Sequence, residues 1–357
     1  MNQPPPLGLI EGFYGRPWLW SERARTVRLL AGDGFSFHIH APKAAAWLRR
    51  GWRDPAPAQE LAAACEHAAL CRGLGVAFGL GLSPHEFDAS PKSNDWRLLH
   101  ARLDTMRAAG ATMLALLFDD IRGDDPGLAS RQLRIIDACR DHGGFDELWV
   151  CPTYYSDDPV LDRVFGRRPA DYLPRLAGEL PQEIGLFWTG PEVCSREISP
   201  AHLRAVNTLL QRSPVLWDNY PVNDGARMCK ALHLRAFSGR PAHNAPWLRA
   251  HAINPALQPT LTCIPALTLA ERYRVGEDAW RPELAFIRAC TKILGESLGA
   301  QLRADLIALQ DTGRDRLGET AATLRERYER EPHNGAREII AWLDGCYEIT
   351  DEIVRTQ

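Results

Sequence analysis

The sequence predicts a closed (β/α)8 barrel, an α/β TIM barrel, carrying a small C-terminal helical unit. Three observations predict it. Short apolar runs recur up to about Ile253, amphipathic segments rich in Ala, Leu and Arg separate them, and no GxGxxG or GxxxxGK[ST] loop follows any run. Strand–helix alternation builds a parallel sheet, and eight repeats at this spacing favour closure over an open doubly wound sheet.

The elements follow in order. Leu7–Ile10 is the first strand, and a helical pattern over Ser21–Ala31 starts at the capping type Ser21. Phe35–His40 precedes the helix Ala58–Gly73, Val76–Leu82 precedes Asp95–Ala109, and Thr112–Phe118 precedes Ala129–His142. Glu147–Pro152 leads to Pro169–Leu180, and Gly185–Trp188 to Pro200–Gln211, where Ser199-Pro200 supplies a cap and a first-turn proline. Gly32, Gly34, Gly73, Gly75 and Gly110 fall at helix ends, where a left-handed residue is wanted. Val215–Asp218 runs into an irregular connection, Asp224–Ala245, before Leu248–Ile253 and the helix Thr260–Arg274. From about Glu277 strand signals vanish, and Pro282–Ala308, Thr320–Tyr328 and Ala336–Val354 read as helices. The expected division is a barrel over residues 1–276 and a helical unit over 277–357.

Composition narrows the function. A hydrophobic share of 45% and a charged share of 24% are those of a soluble globular chain, and a formal charge of -3 gives no attraction to nucleic acid or an anionic membrane. No apolar stretch is long enough to span a bilayer, and the opening MNQPPPLGLIEG lacks a signal-peptide pattern. The nine cysteines form no CxxC and lie mostly in apolar segments, as free thiols of a reducing compartment do. The expectation is a cytoplasmic protein without cofactor or metal.

The run ATMLALLFDDI ends in two adjacent carboxylates, Asp119 and Asp120. Two acids at the end of a buried strand repel each other and resist desolvation, so stability alone does not account for them. The carboxyl ends of barrel strands are where active sites lie, and a carboxylate pair there points to acid/base chemistry. The plain structural alternative is a cap on the next helix. Other strand ends carry Glu11-Gly12-Phe13-Tyr14-Gly15, His40-Ala41-Pro42-Lys43, Thr153-Tyr154-Tyr155, Trp217-Asp218-Asn219-Tyr220 with Asn223-Asp224, and Asn254-Pro255. Aromatic rings among amides and carboxylates suit a sugar, the rings covering its CH face and the polar groups taking its hydroxyls.

The motifs EGFYGRPW, HAPK, LLFDDI, CPTYY, FWTGPEV, WDNYPVND and INP, from about Leu7 to Arg274, resemble those of glycoside hydrolase family 84, the β-N-acetylglucosaminidases that include O-GlcNAcases. The resemblance implies a retaining, substrate-assisted hydrolysis in which the 2-acetamido oxygen of the substrate attacks the anomeric carbon and forms an oxazoline. It implies that Asp119 accepts the acetamido N–H and that Asp120 protonates the leaving oxygen and then activates water, with the charge of Asp119 expected to raise the pKa of Asp120. It further implies that Gly12, Lys43, Asp224 and Asn254 contact sugar hydroxyls, that Tyr155 hydrogen-bonds the acetamido oxygen, and that Tyr14, Trp217 and Asn219 shape and support the acetamido site. The implied partner is a glycoside or glycoprotein bearing N-acetylglucosamine, and the helical tail could contribute to a homodimer.

This chain departs from the family at His38 and His40, where aromatic residues are usual, at Ala44 and Ala45, where acids often stand, and at His85, which replaces a Gly. These changes bear on substrate range more than on reaction type. Two other readings compete. His38 and His40 alternate on one strand and so face one side, as a metal-binding pair in an amidohydrolase-like barrel does. A sugar-binding barrel without catalysis is the other.

Overall fold

Each apolar run forms a parallel strand. The structure, a computed structural model, describes residues 3–349. Its strands are β1 (Leu7–Glu11), β2 (Phe35–His40), β3 (Ala77–Leu82), β4 (Met113–Leu117), β5 (Glu147–Cys151), β6 (Gly185–Trp188), β7 (Val215–Asp218) and β8 (Ala250–Ile253). They pair in sequence order, and β1 pairs with β8 to close the barrel. Continuous burial of the strands on both faces explains why they read as apolar runs rather than alternating ones.

Alternate strand residues fill the interior. Phe37, Trp149, Phe187 and Trp217 meet edge to face, their successive centroids 5.0, 5.7 and 5.2 Å apart. Glycine makes room for two of these rings: a Cβ on Gly8 would lie 2.3 Å from Phe37, and one on Gly185 2.6 Å from Trp149. The same alternation turns His38 and His40 away from the interior. His38 meets His67, and His40 packs against Trp20, both in the helical layer.

The outer layer comprises α1 (Trp20–Ala31), α2 (Ala58–Gly73), α3 (Asp95–Ala108), α4 (Leu128–His142), the short α5 (Val160–Phe165), α6 (Tyr172–Glu179), α7 (Pro200–Leu210) and α8 (Pro259–Val275). Two cap expectations separate here. Ser199 Oγ accepts from the His202 N–H at 3.2 Å and starts α7 as expected. Helix α1 instead starts at Trp20, with the Glu22 carboxylate accepting the Leu19 N–H at 2.7 Å, so Ser21 is not the cap. Gly75 and Gly110 take positive φ, whereas Gly32, at φ −70°, remains right-handed. The connection after β7 carries short 3-10 turns at Met228–Lys230 and Ala242–Trp247 and no α-helix.

After α8 come α9 (Pro282–Leu294), α10 (Glu296–Ala304), α11 (Thr320–Glu329) and α12 (Asn334–Leu343). The expected helix Pro282–Ala308 is therefore two, broken at Gly295, whose φ of +81° no helix interior holds. The expected helix over Ala336–Val354 ends at Leu343, and its part from residue 350 onward lies outside the described residues. Leu261 and Ile264 of α8 share one apolar cluster with Ile293, Leu298, Tyr328, Ile339 and Trp342. Glu338 of α12 reaches the start of α8, where its carboxyl accepts the N–H groups of Thr260 and Leu261 at 2.9 and 3.0 Å.

Candidate active site

The site residues implied by the family resemblance line one cavity at the carboxyl ends of the strands: Gly12, Tyr14, Lys43, Asp119, Asp120, Tyr155, Trp217, Asn219, Asp224 and Asn254, joined by Cys151, Thr189 and Val193. Gly12 and Tyr14 follow β1, Lys43 follows β2, the two acids follow β4, Tyr155 follows β5, Trp217 lies within β7 and Asn254 follows β8. Every strand end except that of β3 contributes a wall.

Adjacent residues of an extended strand point to opposite faces. Asp120 breaks that pattern by adopting φ +59°, in the left-handed region. The turn brings both carboxylates to the same cation. Lys43 Nζ pairs with Asp119 Oδ2 and lies 3.0 Å from Asp120 Oδ2. Asp120 also accepts from the Tyr14 hydroxyl, and the Arg49 guanidinium stands 3.8 Å away. Asp119 Oδ1 is different: it is buried and has no hydrogen-bond partner among the described residues. The open space of the cavity, which Lys43 also lines, is about 40 Å³.

Asp120 stands below the ordinary carboxyl range. Burial pushes its pKa up, but Lys43, the Tyr14 hydroxyl and Arg49 together outweigh burial and lower it. The expected upward shift is thus not observed, because Lys43, Tyr14 and Arg49 dominate over burial. Asp120, unlike Asp119, also borders a second cavity of about 760 Å³, whose walls include His85, Phe87, Phe118, Arg131 and Ile135.

The opposite wall is a hydrogen-bonded chain. The Gly12 N–H donates to Asn254 Oδ1 at 3.1 Å, Asn254 Nδ2 donates to Asn219 Oδ1 at 2.9 Å, and the Trp217 indole N–H donates to the same oxygen at 3.1 Å. Asn219 Nδ2 is tied to the Val193 carbonyl at 2.8 Å, and the Tyr14 N–H donates to Asp224 Oδ2 at 2.8 Å. Gly12 is required by its neighbour: a Cβ there would lie 2.1 Å from the Trp217 ring. Asp218, by contrast, is structural. Its carboxyl pairs with Arg240 at 2.7 Å and His251 at 3.0 Å; burial raises its pKa, but Arg240 and His251 prevail and bring it down to about 2.

Sequence reasoning missed Arg49, which touches Asp120 from a loop with no regular pattern. Cys151, Thr189 and Val193 fell within flagged strand-end segments without being singled out. The proposed His38/His40 metal pair does not serve this cavity. Both rings face the helical layer, and Glu11 sits between them and Arg23, its Oε1 2.8 Å from His38 Nε2. Among the described residues, the one group of three His, Cys or carboxylate side chains near enough to share an ion is His38, His67 and Cys71, outside the cavity lining.

The sequence profile of the beta-N-acetylglucosaminidase family matches residues 7–309. The chain belongs to that family. It is 28% identical over 286 residues to the Protein O-GlcNAcases of Mus musculus and Rattus norvegicus, an alignment covering 78% of this chain and 31% of each relative. The chain thus spans about a third of the length of those relatives. A mutant O-GlcNAc hydrolase from Thermobaculum terrenum superposes with a TM-score of 0.77 at 24% identity, over 95% of this chain and 80% of that one, which shows a shared fold.

Proposed function

We propose that this chain is a glycoside hydrolase, a retaining β-N-acetylglucosaminidase that removes terminal β-linked N-acetylglucosamine through an oxazoline intermediate. The observation that carries the reading is Asp119 Oδ1, a buried acceptor beside Asp120 that has no hydrogen-bond partner among the described residues and lies in the lining of the cavity. An acetamido N–H is a donor of the right kind to fill it.

Asp119 then orients the acetamide and stabilises the positive charge of the forming oxazolinium. Tyr155 donates to the acetamido oxygen, which attacks the anomeric carbon. Asp120 gives its proton to the glycosidic oxygen as that bond breaks, and later takes a proton from the water that opens the oxazoline. For this, Lys43 leaves the acids for a sugar hydroxyl as the ring enters. Removal of the cation and displacement of water both raise the pKa of Asp120, so substrate binding itself prepares the acid. Gly12, Asp224 and Asn254 take further hydroxyls, Tyr14 and Trp217 enclose the sugar, and Asn219 fixes the Trp217 ring. The larger cavity beside Asp120 receives the leaving group, and His85 in its wall is where this chain selects its aglycone from glycosides or glycoproteins. The catalytic unit is the barrel over residues 1–276, braced by the helices beyond it, and nine unpaired cysteines suit a reducing compartment.

A panel of aryl glycosides with and without the 2-acetamido group tests the mechanism. Turnover confined to N-acetylated substrates, with inhibition by a thiazoline that mimics the oxazoline, is the expected outcome. Comparable turnover of the plain glucoside refutes it, because that sugar has no internal nucleophile.

A further inference from the structure

His38, His67 and Cys71 meet behind β2, on the side opposite the ring-filled interior. Their ligand atoms all lie within 4.8 Å of one another, and all three side chains are buried. His67 and Cys71 stand one turn apart on α2 and so share a face, while His38 reaches them from β2. We infer that these three side chains form a structural site for one soft, thiolate-preferring cation, Zn²⁺ or Cu⁺, clamping α2 to β2.

The geometry needs shifts of about an ångström or less. His38 Nδ1 and His67 Nε2 are 2.8 Å apart. Tetrahedral Zn–N bonds of about 2.0–2.1 Å and a Zn–S bond of about 2.3 Å place the nitrogens about 3.3 Å apart and each about 3.6 Å from sulfur. Opening the imidazole pair by roughly half an ångström, with the Cys71 sulfur drawn from within 4.8 Å to about 3.6 Å of each nitrogen, admits the ion.

The surroundings point the same way. The other ring nitrogen of His38, Nε2, lies 2.8 Å from Glu11 Oε1, and Glu11 is clamped by Arg23, whose Nε and Nη2 donate at 2.8 and 2.9 Å. A carboxylate on the far nitrogen of a histidine fixes its tautomer and leaves the near nitrogen as a bare lone pair, the arrangement that supports a metal-bound imidazole. Arg23 and Glu11 cancel in charge. Binding displaces the Cys71 thiol proton to solvent and moves the His67 proton from Nε2 to Nδ1, which has no other partner among the described residues, and the thiolate neutralises Cu⁺ fully or Zn²⁺ in part. The sequence motif is FHIH on the strand with HAALC on the helix, and the glycosidase chemistry uses none of the three ligands. The inference stands apart from the glycosidase proposal.

The test uses the whole chain, purified under reducing, metal-free conditions and then loaded separately with Zn²⁺, Cu⁺ or Co²⁺. Elemental analysis after desalting should find about one ion per chain, and which of the first two is retained identifies the natural class. Co²⁺ should give a thiolate-to-metal charge-transfer band, and loading should raise the thermal midpoint. Cys71→Ser and His67→Gln should each weaken retention at least about tenfold while leaving aryl glycoside turnover intact. Retention by fewer than roughly one chain in ten, with no cobalt–thiolate band in the wild type, overturns the inference. Retention unaffected by Cys71→Ser overturns it equally. If that variant does not fold, the wild-type cobalt spectrum decides alone.

Discussion

Replacing Asp119 by Asn keeps the shape of the side chain and removes its charge, which separates its proposed catalytic role from its structural one. Lys43 remains 3.0 Å from Asp120 in such a variant, so the buried ammonium keeps a partner. The stability loss should then be about 1–2 kcal/mol, the scale of one hydrogen bond to a charged group, rather than the ~3–5 kcal/mol of an orphaned buried charge. Catalysis should suffer more. The charge-assisted bond to the acetamido N–H supplies about 1.5–3 kcal/mol. The attraction between carboxylate and oxazolinium supplies roughly another 2 kcal/mol in a partly desolvated site. Together these correspond to a fall in kcat on the order of 10²–10⁴-fold. The assay is steady-state hydrolysis of N-acetyl-β-D-glucosaminides whose aglycones span alkyl to nitrophenyl alcohols. The Asp119→Asn deficit should be the same across that series, because oxazoline formation is impaired whatever the leaving group. The Asp120→Asn deficit should shrink as the leaving alcohol becomes more acidic and needs protonation less. An Asp119→Asn enzyme, folded by thermal melt, that turns over within about threefold of the wild type refutes the reasoning.

Gly12→Ala places a methyl 2.1 Å from the Trp217 ring, so the ring must shift and its bond to Asn219 with it; kcat/KM should fall at least about tenfold and stability by about 1–3 kcal/mol, read by kinetics and melting. For Asp218, a folded pKa of about 2 lies below the ordinary 3.8, so its stabilisation is complete above pH 3.8 and is lost as pH falls towards 2. Acid titration followed by circular dichroism should show that loss, roughly 2 kcal/mol from this group, and Asp218→Asn should abolish it at the cost of leaving Arg240 unpaired. Glu338 has the opposite sign. Burial raises its pKa from 4.5 to about 7, so its contribution is fully present below pH 4.5 and declines as pH rises through 7. Denaturant unfolding at pH 5 and pH 8 should differ by about 3 kcal/mol on this account, and Glu338→Gln should flatten the difference.

Much of the fold and most of the candidate site were legible in the chain order. Strands buried on both faces leave apolar runs, and a barrel brings the residue after each run to a common rim, so polar and aromatic clusters at those points mark a site without any knowledge of distances. That logic flagged the segments that hold Gly12, Asp119, Tyr155 and Asn254, and the family resemblance picked the individual residues within them. Direction was beyond it. Whether two neighbouring acids point the same way depends on one backbone angle at Asp120, and whether an HxH pair faces the rim or the helices depends on which strand residues the barrel interior claims, here Phe37 beside Trp149. The electrostatic state was also set by tertiary contacts. Lys43 meets Asp119 across 76 positions and Tyr14 meets Asp120 across 106, and these pairs reverse the pKa shift that the acids alone would produce. Periodicity and composition report what each residue prefers; distances between residues remote in the chain, and the charges they bring together, exist only once the barrel has closed.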